Sequence, residues 1–450
     1  MTKFEKDLSQ GNVAKQLIRF AVPFLISNLI QSLYNVSDMV IVGQFNGQNS
    51  MSGINIGGQI NQVLTQLVIG LCSGTTALIG QYMGGKNRKE VKETIGTLLT
   101  LLLTIAVIIT SIMVIFRIPI LHIMNTPKEA FDEANNYLLI TSLGFLFIFG
   151  YNALSAVMRG MGDSVRPLIF VGISCTTNIV LDLILVGAAH MGASGAAGAT
   201  VFSQTMSLML CVAYLKKNHF LFDFKLSSFG FKRKSLCRIL KIGLPTSIQN
   251  IVTGISFMVL TSIVNTLGVT ASAAVGAVGK VTNFALMPTL AMQASIIAMS
   301  AQNIGAKEYG RAKSTMKVGM TIVCTISFVI VLIVQLIPSQ ILRLFCNDQD
   351  VIANGVIYIK HLSFDYLPAT FLLCFIGLFI GAGYSKFSLI SSMLSAVFLR
   401  VPVAYILGIK YGQGLSGIGL AAPIATSGAF LLAVLFYYSG IWKNSCIVSN

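Results

Sequence analysis

An all-helical (all-α) integral membrane protein of twelve transmembrane helices, built as two six-helix repeats, is predicted by three features of the sequence. The first is bulk composition. The 450 residues are 54% hydrophobic and 10% charged, with a mean hydropathy of +0.79, a surface that no soluble globular domain of this size would tolerate. The second is the recurrence of apolar windows long enough for the ~20 residues a spanning helix needs. The third is self-similarity at an offset of about 221 to 222 residues. Arg19-Phe20-Ala21-Val22-Pro23 matches Lys241-Ile242-Gly243-Leu244-Pro245, and Gly80-Gln81-Tyr82-Met83-Gly84-Gly85-Lys86 matches Ala301-Gln302-Asn303-Ile304-Gly305-Ala306-Lys307. Gly192-Ala193-Ser194-Gly195 likewise matches Gly414-Leu415-Ser416-Gly417.

The first window, residues 17–42, follows a charged, polar stretch that runs to Gln16. It is too long for a removable signal peptide and lacks a small-residue cleavage pattern. Pro23 interrupts it and Pro245 interrupts its counterpart; a lost backbone donor kinks a helix and leaves it free to bend differently in different states. The second window, 52–80, carries Asn55, Gln59, Gln62 and Gln66 at helical spacing. That stripe suits the wall of a wet cavity or amide bonding between helices equally well. Windows at 94–116, 132–157, 166–188 and 194–215 complete the first repeat. The lysine-rich segment 216–238, with its Asn-His-Phe and Ser-Ser-Phe-Gly turns, reads as a linker between lobes 1–215 and 239–450. The second repeat supplies windows at 238–265, 272–302, 316–337, 351–379, 387–409 and 416–439.

A net charge of +16 would suggest nucleic acid in a soluble protein, but here the basic residues fall on alternate connections. Lys3, Lys6, Lys15 and Arg19 share one face with Lys86, Arg88, Lys89 and Lys92, with the linker's basic residues, and with Lys307, Arg311 and Lys313. The other face receives only Arg117, Lys128, Arg343 and Lys410. Both termini are therefore expected in the cytoplasm, in a multi-pass protein of the cell membrane that binds no nucleic acid. The eight cysteines, Cys446 included, show no CxxC pairing and read as small buried hydrophobes.

The repeats differ where chemistry matters. Asp38 and Asp182 stand inside apolar spans of the first repeat, and an offset of 222 lands on Leu260 and Ala404. An ionised carboxylate in hydrocarbon costs ~3 kcal/mol or more, so one at mid-span should face a cavity and a partner. Asn178 precedes Asp182 by one turn and Asn35 precedes Asp38 by one turn, which puts each pair on one helix face. Oxygen donors converging from two helices suit a proton or a small hard cation such as sodium. Gln31 and Tyr34 lie one turn before Asn35 and Asp38, Thr200 opens the sixth span at the depth of Asp182, and Tyr137 and Asn152 lie on the fourth. These extend the polar cluster. In the second repeat, pairing of Lys360 or His361 with Asp365 is favoured over a substrate role, and Arg400 reads as a helix anchor.

Arg159-Gly160-Met161-Gly162-Asp163-Ser164-Val165-Arg166-Pro167, followed by Asn178-Ile179-Val180-Leu181-Asp182, resembles the signature of the multidrug and toxic compound extrusion (MATE) family. Pro23 with Asp38 and the Gly-Gln-Tyr-Met-Gly-Gly-Lys run add to the resemblance, which spans the chain. It implies a V-shaped exporter of two six-helix lobes that uses a proton or sodium gradient to expel amphipathic, often cationic compounds by alternating access. Carried over residue by residue, it puts a cation site at Asp38, Asn178, Asp182 and Thr200, with Gln31, Tyr34, Tyr137 and Asn152 in the adjoining network. Family members with acids on the seventh and tenth helices find no counterpart here, where those stretches read Thr253-Gly254 and Ala369-Thr370. A protein of this kind works as a monomer, without a cofactor and with no metal beyond sodium. Two alternatives rank lower. A lipid-linked saccharide flippase would call for more cationic residues in the central cavity, and the first lobe shows none there; a membrane enzyme would call for an HExxH motif, a nucleophilic set or a nucleotide loop, and the spans contain none of these.

Overall fold

The structure is a computed structural model that describes residues 5–443 and 447. Lys3 and Cys446 lie outside the described residues. Helices α1 (Val13–Gly84), α2 (Arg88–Ile123), α3 (Lys128–Leu143), α4 (Phe145–Gly160), α5 (Val165–Asp182) and α6 (Gly192–Lys217) form the first repeat. The second comprises α7 (Arg233–Asn265), α8 (Val269–Gly305), α9 (Tyr309–Leu336), α10 (Pro338–Arg343), α11 (Gln349–Leu362), α12 (Tyr366–Gly381), α13 (Ser385–Met393), α14 (Val401–Tyr405) and α15 (Gly414–Tyr438).

Ten helices, counting adjoining segments as one, are long and apolar enough to cross a membrane, and the bent pair α3 and α4, angled by 51°, makes an eleventh span. The twelfth comes from α1, whose 72 residues are interrupted by one non-helical residue, Gly47. At φ 79° and ψ −169°, Gly47 holds a backbone conformation that a side chain would strain. The expected loop between the first two windows is thus a single-residue break.

The chain divides into two compact units, Met1–Asp7 with Val22–Leu240, and Leu8–Ala21 with Lys241–Asn450. The short stretch from Leu8 therefore groups with the second repeat rather than the first. Polar contacts account for this: the Leu8 amide donates to Gln302 Oε1 at 2.9 Å, and Arg311 donates to the Gly11 carbonyl at 2.8 Å and to Gln16 Oε1 at 3.0 Å.

Within the first unit, α4 packs on α2 and α6, and α6 packs on α3 and α5. Thr76 Oγ1 donates to the Ala156 carbonyl at 3.0 Å, joining the second part of α1 to α4. Asp163, from the signature run, is buried and ion-paired with Arg166 and, at 3.5 Å, with Lys6. It also accepts from the Val165 amide at 3.1 Å, so this acid fastens the start of α5. In the second unit α12 packs on α8, α9 and α15. A buried triad of hydroxyls joins the first three of these helices: Thr370 lies 3.0 Å from Thr289 and 2.8 Å from Ser327.

Asp365 corrects an expectation. No described ion pair links it to Lys360 or His361, and His361 Nδ1 lies 2.7 Å from the Ile357 carbonyl instead. A 3-10 turn at Ser363–Asp365 ends the α-helical register that would have put His361 and Asp365 on one face. The electrostatic partner of Asp365 is Arg400, whose guanidinium stacks 4.5 Å from the Phe257 ring centroid.

Candidate functional site

Three helices of the first unit build one polar cluster. The first part of α1 contributes Gln31, Tyr34 and Asp38; α5 contributes Asn178 and Asp182; α6 contributes Thr200. Asp38, Asn178 and Asp182 are all buried, at 9%, 1% and 0% exposure, although each sits in an apolar span. Helical spacing explains α5's share, because residues four apart stack on one face.

The Asn178 amide joins the other two helices. With its amide oriented to satisfy both atoms, Nδ2 donates to Asp38 Oδ1 at 2.9 Å and the oxygen accepts from the Thr200 amide at 3.3 Å. The Asp38 and Asp182 carboxyls lie within hydrogen-bonding reach of each other. Among the described residues no other donor reaches either oxygen of Asp182. Two ionised carboxylates are acceptors only, so this contact is favourable only with a proton or a cation between them. No described basic side chain forms an ion pair with either acid, so no described residue supplies that positive charge.

Two tyrosines complete the shell. Tyr34 lies beside the Thr200 side chain and in the field of both acids and of Tyr137. Tyr137 in turn faces both acids and packs against the cluster of Ile41, Val42, Ile54, Val186, Ala193 and Ala196. Gly57, unremarked in the sequence, makes room for it: a Cβ there would stand 2.5 Å from Tyr137 Cδ1. Beside the acids lies a small cleft lined by Gln31, Tyr34, Asn178, Tyr151, Ser174, Cys175 and Gln204 among others.

Not every expected residue converges. Asn152 donates to its own helix at the Ile148 carbonyl, 2.8 Å away, and Asn35 is exposed. In the stripe, Gln59 Nε2 donates to Asn55 at 3.2 Å along the helix. Asn61, which lies off the stripe, bonds across to Thr141 Oγ1 at 2.9 Å. Pro23 is inside α1, whose dihedrals stay helical through it. Ser27 Oγ donates to the Pro23 carbonyl at 2.8 Å, a bond of the kind that helps helices bend. A π-helical turn, Leu183–Ala188, which no local pattern announces, begins directly after Asp182. Such turns widen a helix and gather at functional sites.

The second unit has no such cluster at the repeat-related positions. Leu260, Ala404 and Ala422, which stand 222 residues after Asp38, Asp182 and Thr200, all belong to its buried apolar core. The counterpart of Asn178 is Arg400, buried at 7% exposure. Among the described residues no group of three or more His, Cys, Asp or Glu side chains is placed to hold a metal ion.

Comparison with known proteins agrees with this duplication. The MatE family model matches residues 23–184 and again 245–406. The probable multidrug resistance protein YoeA of Bacillus subtilis is 29% identical over 451 aligned positions, covering 98% of this chain and 96% of that protein. The probable multidrug resistance protein NorM of Thermotoga maritima is 25% identical, with 97% and 95% covered. Among solved structures, a MOP superfamily transporter from Pyrococcus furiosus superposes with a TM-score of 0.93 at 24% identity, covering 98% of both chains. An outward-facing multidrug resistance MATE family transporter superposes with a TM-score of 0.92 at 24% identity. At that identity these two establish the fold.

Proposed function

The chain belongs to the MatE family, and from that premise we propose that it is a multidrug efflux transporter driven by ion antiport, exporting amphipathic, often cationic compounds from the cytoplasm. The observation that carries this reading is the contact between Asp38 and Asp182, two buried acids that no cation among the described residues neutralises. The coupling ion, a proton or sodium, is the charge this pair lacks. Asn178 and Thr200 complete its oxygen shell, with Tyr34 and Tyr137 beside it.

The cycle follows from competition. Facing outward, the pair takes up its ion, α1 rearranges near Pro23, the cleft beside Gln31 and Tyr34 contracts, and the bound compound leaves. Facing inward, the ion escapes to the cytoplasm and the cleft reopens. A helix whose Pro23 cannot bond back to the Arg19 carbonyl is a two-state element of the kind such coupling requires. Because linkage is reciprocal, bound compound lowers affinity for the ion by the factor by which the ion lowers affinity for the compound. The lobes at 1–215 and 239–450 act as the alternating units, joined by 216–238, with both termini in the cytoplasm and the monomer as the working form. The basic residues on one set of connections support that orientation.

Ethidium efflux in everted vesicles, with the proton and the sodium gradient collapsed in turn, tests the proposal. Export should stop with one of the two gradients and in both Asp38→Asn and Asp182→Asn. Gradient-driven export at the wild-type rate by both variants would refute it.

A further inference from the structure

The linker between the repeats is basic beyond what a connection requires, and the transport cycle makes no use of it. It is nevertheless firmly built. Its backbone is pinned to α2, with the Gly230 amide donating to Thr100 Oγ1 at 2.9 Å and the Lys232 amide to Thr97 Oγ1 at 3.3 Å. Gly96 admits it: a Cβ there would stand 2.3 Å from the Ser228 carbonyl oxygen. Phe222, buried at 1% exposure, packs edge-on against Phe224 and Phe229 at 5.2 and 5.5 Å.

A loop fixed by its own aromatic core still leaves Leu226 93% exposed and Phe231 50% exposed. Their level in the bilayer follows from α2. The outward apolar face of that helix includes Val107, Ile108, Ile112 and Ile115, all exposed. The apolar window of that helix begins at residue 94, so at 1.5 Å per residue Thr97 and Thr100 lie ~5 and ~9 Å inside its end nearer Arg88. That is the level of the upper acyl carbons. Around the two apolar tips Lys217, Lys225, Lys232 and Arg233 are exposed, and no described ion pair engages them. Lys92 pairs with Asp223 and Lys234 with Glu90, so these two acids are already taken.

We infer that the linker is a docking surface for anionic phospholipid, with Leu226 and Phe231 seated among the upper acyl carbons and Lys217, Lys225, Lys232 and Arg233 meeting the phosphates. Charge complementarity and the apolar tips act together, as in interfacial segments generally. The surface belongs to the first unit alone and is independent of the transport cycle.

The test uses the chain's single tryptophan. Trp442 is buried, at 1% exposure, and contributes a background that Trp442→Phe removes. Leu226→Trp in that background places a probe at the tip. The full-length protein is reconstituted in phosphatidylcholine and phosphatidylglycerol mixtures of fixed composition, with bromine carried near the headgroup end of one lipid or the other. Quenching by brominated phosphatidylglycerol should exceed quenching by brominated phosphatidylcholine about threefold. The preference should vanish when Lys217, Lys225, Lys232 and Arg233 are all changed to Gln, and should shrink in high salt. Equal quenching by both lipids in the unmodified linker, or none by either, would overturn the inference. Neither result bears on whether the protein exports drugs.

Discussion

Asp182→Asn should make the protein more stable while uncoupling it. Asp182 is fully buried, neither of its oxygens has a donor other than through Asp38, and the carboxyl it faces is an acceptor when ionised. An amide at 182 supplies an N–H to Asp38 and removes one of two like charges. A hydrogen bond to a charged group contributes about 1.5–3 kcal/mol, so the ion-free variant should unfold at a higher temperature than the ion-free wild type. The wild type should gain stability as its ion is added, by about 2.7 kcal/mol when the ion reaches a hundred times its dissociation constant. The variant should gain none. Thermal unfolding of purified protein, with sodium titrated at fixed pH and protons at fixed sodium, reads both effects. An Asp182→Asn protein that is less stable without ion and still stabilised by it would refute the reasoning, because the pair would then not be the place where the ion binds.

Gly57→Ala should push the Tyr137 ring off the acids, since its Cβ would stand 2.5 Å from Cδ1; export should fall several-fold and stability by about 1–3 kcal/mol, measured by efflux and thermal unfolding. Pro23→Ala restores a backbone donor toward the Arg19 carbonyl and should leave ion-dependent stabilisation intact while slowing export, a separation visible when both assays are run on one preparation. Thr370→Val breaks contacts of 3.0 and 2.8 Å with Thr289 and Ser327. It should cost about 1–3 kcal/mol for the hydroxyls left behind without altering which gradient drives export.

The gross architecture was legible because spans announce themselves through hydropathy, and the repeat doubles that signal. The acids were legible for the same reason, since a carboxylate within an apolar window is conspicuous and Asn178 shares a face with Asp182 by spacing alone. What was not legible depends on contacts between distant residues. No local signal marks Gly57 as the seat of Tyr137, and the run Leu183-Ile184-Leu185-Val186 says nothing of a π-helical turn. The bond from Leu8 to Gln302 spans 294 residues, so the grouping of the first stretch with the second repeat emerges only in the fold. His361 and Asp365 fit an i,i+4 pattern that one 3-10 turn dissolves. Asn152 shows the limit of placing polar residues by span, because its amide is spent on its own helix.

The central claim is that one small ion binds between Asp38 and Asp182 and that the second repeat offers no equivalent. Equilibrium binding of the driving ion to purified protein, by isotope for sodium or by proton release into weak buffer, tests it directly. The account predicts one ion per chain, lost in Asp38→Asn and in Asp182→Asn and retained in Arg400→Gln. Two ions per chain, or one that survives both aspartate substitutions, would contradict it.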